Sequence, residues 1–153
     1  MNISKFTQKS VEILNNLEKI AYDFGAQEIA QEHLLYGMLT VEDSLIKKLI
    51  EKMEIDSDVF LAQVEGAVRK RPQVQGGQVY IGQDLNKVLV YAENEAKALG
   101  DEYVSVEHLF LSLLRKPSKE IKQLFHDFQI DRERFLQALS KVRGNQKVTT
   151  DNP

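Results

Sequence analysis

The chain repeats itself, and this internal repeat constrains the fold more than any other feature of the sequence. When the 153 residues are compared with themselves at an offset of 75, positions 7–68 align with 82–143 without a gap, and 16 of the 62 aligned pairs are identical. Unrelated segments would share about one residue in fifteen. The chain is therefore predicted to hold two copies of one unit (7–68 and 82–143), with a linker at 69–81.

Each copy has the hydrophobic spacing of four helices. Apolar residues recur every three or four positions, as on one face of a helix, and they do not alternate as in a strand. The predicted helices cover residues 8–24, 31–40, 43–53 and 57–69 in the first copy and 83–99, 106–115, 119–128 and 132–143 in the second. Segment 73–80 contains two glycines and is interpreted as flexible linker. The prediction is an all-α domain (1–143) of two pseudo-symmetric four-helix repeats, about eight helices, followed by a polar linker (144–153).

Residues that favour helix ends occur at the predicted helix boundaries. Side-chain oxygens that can accept a free backbone N–H of a first turn are predicted N-caps, and glycine tolerates the positive φ that ends a helix. The predicted N-caps are Thr7, Asp56, Ser105, Ser118 and Asp131, and the predicted C-terminal glycines are Gly25 and Gly100. His33 and His108 are repeat equivalents, and each is expected to fix the start of its helix by hydrogen bonding.

Composition excludes several classes of function. The chain has no cysteine, so it has no disulfide and no thiolate site, and this fits a reducing compartment, which we expect to be the cytoplasm. A net charge of -3 argues against a dedicated nucleic-acid binder, and no apolar run approaches the ~20 residues that span a bilayer. We also find no secretory signal and no phosphate-binding loop. We expect no catalytic activity, cofactor or metal ion in this chain, and no nucleic-acid or membrane partner.

The glutamates Glu32 and Glu107 are also repeat equivalents, each in the first turn of its helix. One interpretation is a charged first turn, which the helix dipole favours by about 0.3–1 kcal/mol. The other is a symmetry-related pair of acidic sites that receives a basic or modified side chain of a partner.

The two repeats differ on the outer face of their first helix. A helical wheel places Val90 and Tyr91 away from the core stripe, and their equivalents are the polar Asn15 and Asn16. Either these apolar residues pack between the two halves or under the linker, or they form an exposed patch that binds protein segments. Apolar burial is non-directional, so such a patch would suit unfolded polypeptides.

Several motifs resemble one known family. The paired Glu-His-Leu segments within a helical duplication resemble the Clp amino-terminal repeat domain. Finer matches are to the ClpB-type disaggregase, and they are Phe6-Thr7, Arg71–Val74, Gly82–Leu85, Gly100-Asp101 and the tail Arg143–Pro153. The resemblance covers the whole chain.

The resemblance implies a role in a larger machine. The full protein would be a homohexameric AAA+ chaperone that uses ATP and magnesium, works with the DnaK-type chaperone system and threads aggregated polypeptide through its pore. This segment would be its mobile amino-terminal domain, monomeric in isolation and without ATPase activity. It would capture exposed apolar segments of unfolded or aggregated clients.

The resemblance also suggests site residues. Positions matching Thr7, Asp101 and Glu107 are linked to client handling in the family, and we expect them to line a polar rim beside Val90 and Tyr91. Tyr91 falls on a leucine of the family's apolar groove, and Glu95 and His108 stand where other members carry leucine. The alternative is an adaptor-docking domain, or one that reads phosphorylated arginine with Glu32 and Glu107. Relatives of that kind carry Gly-Thr-Glu-His, whereas this chain has Ala-Gln-Glu-His and Ser-Val-Glu-His.

Overall fold

The structure is a computed structural model that describes residues 3–152, and it confirms the helical duplication. The tail residue Pro153 lies outside the described residues. The elements are a 3-10 turn (Ile3–Lys5), α1 (Gln8–Asn15), α2 (Leu17–Asp23), β1 (Glu28–Ile29), α3 (Gln31–Thr40), α4 (Leu45–Lys52), α5 (Ser57–Arg69), β2 (Tyr80–Ile81), α6 (Gln83–Ala98), α7 (Val106–Arg115), α8 (Lys119–Asp127) and α9 (Arg132–Arg143). Helices α3–α5 and α6–α9 match the predicted boundaries to within two residues.

The first predicted helix is broken in one repeat and continuous in the other. Asn16 ends α1 and precedes α2, with its N–H bonded to the Ile13 carbonyl at 3.1 Å. Asparagine weakens a helix interior because its side chain competes for backbone hydrogen bonds. Its equivalent Tyr91 lies inside the unbroken α6. The prediction of one helix over 8–24 is therefore wrong at this one residue.

The structure also contains two short strands, which the prediction of an all-α domain did not include. β1 pairs with β2 in parallel, with Glu28 opposite Tyr80 and Ile29 opposite Ile81. A second bridge joins Phe6 to Val104, and it is the repeat equivalent of the Ile81–Ile29 pair. The segment before each repeat therefore pairs with the other repeat, which interlocks the two copies. Propensity could not reveal such pairs, because they are two residues long and their partners are distant in sequence.

The linker and the tail are both held against the domain. Gln73 bridges to Ala26, and the N–H of Tyr80 donates to the Gln27 carbonyl at 2.9 Å, so the interpretation of 73–80 as wholly flexible is wrong. The tail does the same in the second repeat. The buried Val148 accepts from the N–H groups of Glu102 and Tyr103 at 2.9 and 3.2 Å. A segment predicted only as a linker therefore packs on the domain, while the boundary at residue 143 stays a prediction.

The predicted helix starts are largely confirmed. Thr7, Asp56, Ser118 and Asp131 accept first-turn N–H groups. Gly25 and Gly100 have φ of 72° and 73°. Ser105 is an exception, because its hydroxyl lies 3.0 Å from the ring Nδ1 of His108 and accepts no helix N–H.

The two histidines do what the sequence predicts. Nδ1 of His33 accepts from the Ala30 N–H at 2.8 Å, and Nδ1 of His108 accepts from the Ser105 N–H at the same distance. Each ring thus satisfies the N-cap N–H from the third helical position. The ring of His33 thus stabilises the start of α3 at Ala30, whose side chain has no acceptor of its own.

The helices α3 and α7 form the centre of a core shared by both repeats. α3 packs on α5, α6 and α7, and α4 packs on α7 and α9. Aromatic rings fill the interior, with Phe110 stacked on Phe135 at a centroid distance of 4.5 Å and Phe60 edge-on to Phe128 at 5.0 Å. This rigid interior fixes the outward direction of the exposed side chains of α6.

Candidate functional site

The outer face of α6 carries the predicted apolar residues, and both are exposed. Val90 is 50% exposed and Tyr91 is 39% exposed. Their equivalents Asn15 and Asn16 are exposed too, so the position is a surface in both repeats. The alternative that Val90 and Tyr91 are buried between the two halves is wrong. Their role in binding stays a prediction.

A lysine lies over the Tyr91 ring. The Nζ atom of Lys116, which follows α7, is 4.9 Å from the ring centroid, within cation–π range. This contact covers part of the ring, and the side chain as a whole stays 39% exposed. Val90 is the next residue along α6 but is turned by about 100° around the helix axis. The apolar surface is thus a pair of side chains that face different neighbours.

One turn after Tyr91, a buried carboxylate is held by two arginines. Glu95 is only 2% exposed, although its equivalent in the first repeat is the apolar Ile20. Nε of Arg115 donates to Glu95 Oε2 at 3.2 Å. Nη1 of Arg132 contacts both carboxylate oxygens and is 3.1 Å from Oε2. These charge-assisted bonds compensate the cost of burying the carboxylate.

The expectation of an exposed polar rim is wrong, because Thr7, Asp101 and Glu107 are all buried. Thr7 is engaged at the start of α1, where its hydroxyl oxygen accepts the Ser10 N–H at 3.3 Å and its O–H donates to Ser10 Oγ at 3.0 Å. The three residues belong to the internal structure.

Asp101 is the centre of a buried network that fastens the tail. Its carboxylate accepts from Nε2 of His108 at 2.7 Å and from the Val148 N–H at 2.9 Å, and it contacts the Arg143 guanidinium. Burial by itself would raise the pKa of Asp101, but Arg143, the Val148 N–H and His108 outweigh burial and hold that pKa below its usual value. Burial also lowers the pKa of His108, which favours the neutral ring that donates from Nε2.

The acidic pair is buried and faces arginines of the same chain. The side chain of Glu32 lies 3.8 Å from Arg71, and that of Glu107 lies 3.9 Å from Arg143. Burial raises the pKa of Glu32, and the Arg71 guanidinium only partly offsets this effect. Neither carboxylate oxygen of Glu32 has a hydrogen-bond partner among the described residues, so Arg71 is only an ion-pair neighbour of this group.

A cleft of about 620 Å³ lies above Glu32, between α5 and α8. Its walls are a mixture of short apolar and charged side chains, including Ala67, Lys70 and Glu120. In residues 3–152 we find no group of three or more histidines or acidic residues placed to hold a metal ion. None of the helices described here is long and apolar enough to cross a membrane.

The cationic side chains around Tyr91 are what sequence reasoning missed. Arg115, Lys116 and Arg132 are distant from Tyr91 along the chain and carry no motif. One signal was available, since a carboxylate replaces Ile20 in the otherwise apolar stripe of the repeat, and a buried Glu95 requires a basic partner. That signal does not reveal which arginines supply the partner.

Three kinds of comparison bear on this geometry. The sequence profile of the Clp repeat (R) N-terminal domain matches residues 5–128. The chaperone protein ClpB of Nitratidesulfovibrio vulgaris is 40% identical over 159 aligned positions, which cover all of this chain and 18% of that relative. The chain thus spans less than a fifth of the length of that curated relative.

Solved structures agree on the fold. The Hsp104 N-terminal domain of Candida albicans superposes with a TM-score of 0.83 at 20% identity, covering 96% of this chain and 97% of that one. A ClpV N-domain solved in complex with a VipB peptide superposes with a TM-score of 0.74 at 20% identity, covering 96% of this chain and 92% of that one.

Proposed function

This chain belongs to the Clp repeat N-terminal domain family, and from that premise we propose that it captures exposed apolar segments of unfolded or aggregated proteins for a ClpB-type disaggregase. The domain is a non-catalytic module, and the ATPase modules of ClpB are absent from these 153 residues. In the proposed full protein, a cytoplasmic homohexamer would use ATP and magnesium and act with a DnaK-type chaperone system. The domain would deliver the captured segment to its pore.

The observation that carries the proposal is the exposure of Val90 and Tyr91 on α6. A tyrosine on a helix surface supplies a large apolar area with few rotatable bonds, so it binds at low entropic cost. The apolar surface formed by Val90 and Tyr91 is small, and its recognition of apolar side chains does not depend on a defined sequence. Both properties suit a surface that must accept many different segments.

The proposed affinity is weak. A patch of two side chains is far smaller than a standard protein interface, so we expect a Kd of about micromolar or higher. Weak binding also fits the proposed task, because a captured segment must be released to the next component. The ClpV N-domain, which shares this fold, forms a complex with a VipB peptide, and this supports a peptide as the partner of the domain.

A titration tests the proposal against its rival, adaptor docking. A labelled, permanently unfolded polypeptide is added to the domain, and binding is followed by fluorescence anisotropy. The folded native protein from which that polypeptide is prepared serves as the control. We expect binding of the unfolded form only, with competition by a second unfolded polypeptide. Binding of folded proteins that unfolded chains do not displace would favour docking of an adaptor and contradict client capture.

A further inference from the structure

The surface around Tyr91 is positively charged, although the chain as a whole has a net charge of -3. Lys116 lies over the Tyr91 ring, and its neighbour Arg115 reaches Glu95, which also holds Arg132. Two cationic side chains thus contact the carboxylate of Glu95 and a third contacts the Tyr91 ring, which leaves an excess of two positive charges among these groups. Lys116 directly follows Arg115 in the chain, and Glu95 lies one turn after Tyr91 on α6, so the charges and the aromatic ring lie on neighbouring turns. We call Tyr91, Arg115, Lys116 and Arg132 the cationic patch.

The contacts within the domain do not occupy all the hydrogen-bond donors of these cationic side chains. Arg115 is 53% exposed and bonds Glu95 through Nε, while Arg132 is 33% exposed and bonds it through Nη1. Within residues 3–152, Lys116 makes no ion pair. A buried carboxylate that holds two guanidinium groups in place prepares their remaining N–H donors for a second carboxylate, because less side-chain entropy is lost on binding.

Nearby acidic groups do not neutralise the patch. The carboxylate of Asp84, near the start of α6, pairs with Lys87 at 3.8 Å. The side chain of Glu133 follows Arg132 on α9 and makes no ion pair among the described residues. Counting Glu133 against the patch still leaves one positive charge in excess. An incoming carboxylate would therefore meet a favourable field.

We infer that the cationic patch selects client segments in which an aromatic or aliphatic side chain stands beside a carboxylate. The apolar side chain would pack on the exposed part of the Tyr91 ring, and the neighbouring Asp or Glu would accept hydrogen bonds from Arg115 or Lys116. This inference rests on the proposed function and specifies which clients the same surface prefers. Charge complementarity of this kind mainly sets specificity and the rate of association.

Peptides with one apolar core and different flanks test the inference. Three peptides share an aromatic and aliphatic core and carry Glu, Gln or Lys on both sides, and a fourth carries Glu flanks around a Gly-Ser core. We expect the Glu-flanked apolar peptide to bind about fivefold more tightly than the Gln-flanked one at low salt, and the Lys-flanked one to bind weakest. The difference should shrink at high salt. Of the two peptides with Glu flanks, the one with the Gly-Ser core should bind more weakly than the one with the apolar core.

A pair of lysine variants separates the patch from the overall charge. Lys116→Gln should reduce the preference for Glu flanks at least twofold, whereas Lys48→Gln on α4 should leave it unchanged, with equal melting temperatures. Equal losses in both variants would overturn the inference, as would tight binding of the Gly-Ser peptide. Equal binding of all three apolar peptides at Tyr91 would overturn the inference and leave client capture standing. Failure of every peptide to bind would contradict both.

Discussion

His33 and His108 bond the start of their helices identically, but only His108 has a partner for its second ring nitrogen. Asp101 accepts from Nε2 of His108, whereas the equivalent position in the first repeat is Ala26, and Nε2 of His33 has no partner within the described part of the chain. The two copies thus share the histidine bond at the helix start, and only the second copy has the network around Asp101. That network holds the tail through the Val148 N–H, so the second repeat has a structural role that the first repeat lacks.

Acid should destabilise the domain through His33. Burial and the nearby charge of Arg71 lower the pKa of His33 to about 4 from 6.5, so the unfolded chain binds the proton first as pH falls. The histidine therefore contributes no pH dependence above about pH 6.5, and its destabilising effect grows down to about pH 4. Over that window we expect a loss of roughly 3 kcal/mol from this group. Urea unfolding across the window measures it.

His33→Gln is the matched variant for that experiment. A glutamine at the third helical position can accept the same N-cap N–H but does not titrate. Because the pKa of Glu32 is raised, protonation of this neighbour stabilises the fold in acid, and the difference between wild type and variant removes that contribution. Between pH 4.5 and 6, the slope of the unfolding free energy against pH should be smaller in the variant, by an amount that corresponds to nearly one bound proton. Identical slopes would mean that His33 titrates normally in the folded protein.

Asp101→Ala should weaken the domain and release its tail. The change restores the residue of the first repeat but leaves Arg143, His108 and the Val148 N–H without their shared acceptor. Breaking a buried pair from one side costs about 3–5 kcal/mol. Hydrogen exchange at the Val148 amide should accelerate more than exchange in α3. Asp127→Asn, on the exposed side of α8, should change neither quantity, and unchanged exchange at Val148 in Asp101→Ala would refute the fastening role.

Gln31→Val should loosen the contact between the repeats. The amide of Gln31 donates to the carbonyls of Asp84 and Lys116 at 2.9 Å each and accepts from the Ser118 N–H at 2.8 Å. Valine, the residue of the equivalent position 106, would remove the side-chain partner of three backbone groups, at about 1–3 kcal/mol for each group that is left unpaired and dry. Gln137→Val on the exposed face of α9 should shift stability by less than about 0.5 kcal/mol. Calorimetry of both variants decides, and equal melting temperatures would contradict the bridging role.

Tyr91→Ala should weaken the binding of an unfolded client about tenfold and lower the melting temperature by only a degree or two. The ring is exposed and contacts Lys116, so its removal leaves no cavity. Tyr22→Ala is the matched control, because Tyr22 is more exposed and lies on α2 of the other repeat. Binding measured by anisotropy should be unaffected in the control. A collapse of the melting temperature in Tyr91→Ala would mean that the ring is structural.

The fold was largely predictable because its determinants are local or repeated. Helical spacing, N-caps such as Asp56 and the identical Glu-His pairs placed the helices, and comparison of Tyr91 with Asn16 found the exposed face. Pairs such as Ile29–Ile81 were missed because they join distant segments with no periodic signal. The polar rim was wrongly placed outside because Thr7 and Asp101 satisfy their hydrogen bonds internally, which sequence alone does not reveal.

Chemical-shift mapping of the isotope-labelled domain with a permanently unfolded polypeptide tests client capture most directly. The account predicts that the shifts that move cluster on α6 around Val90 and Tyr91 and at Lys116, while Tyr22 and the α5–α8 cleft stay unchanged. Shifts confined to the cleft beside Glu32, or no shifts at millimolar polypeptide, would contradict it.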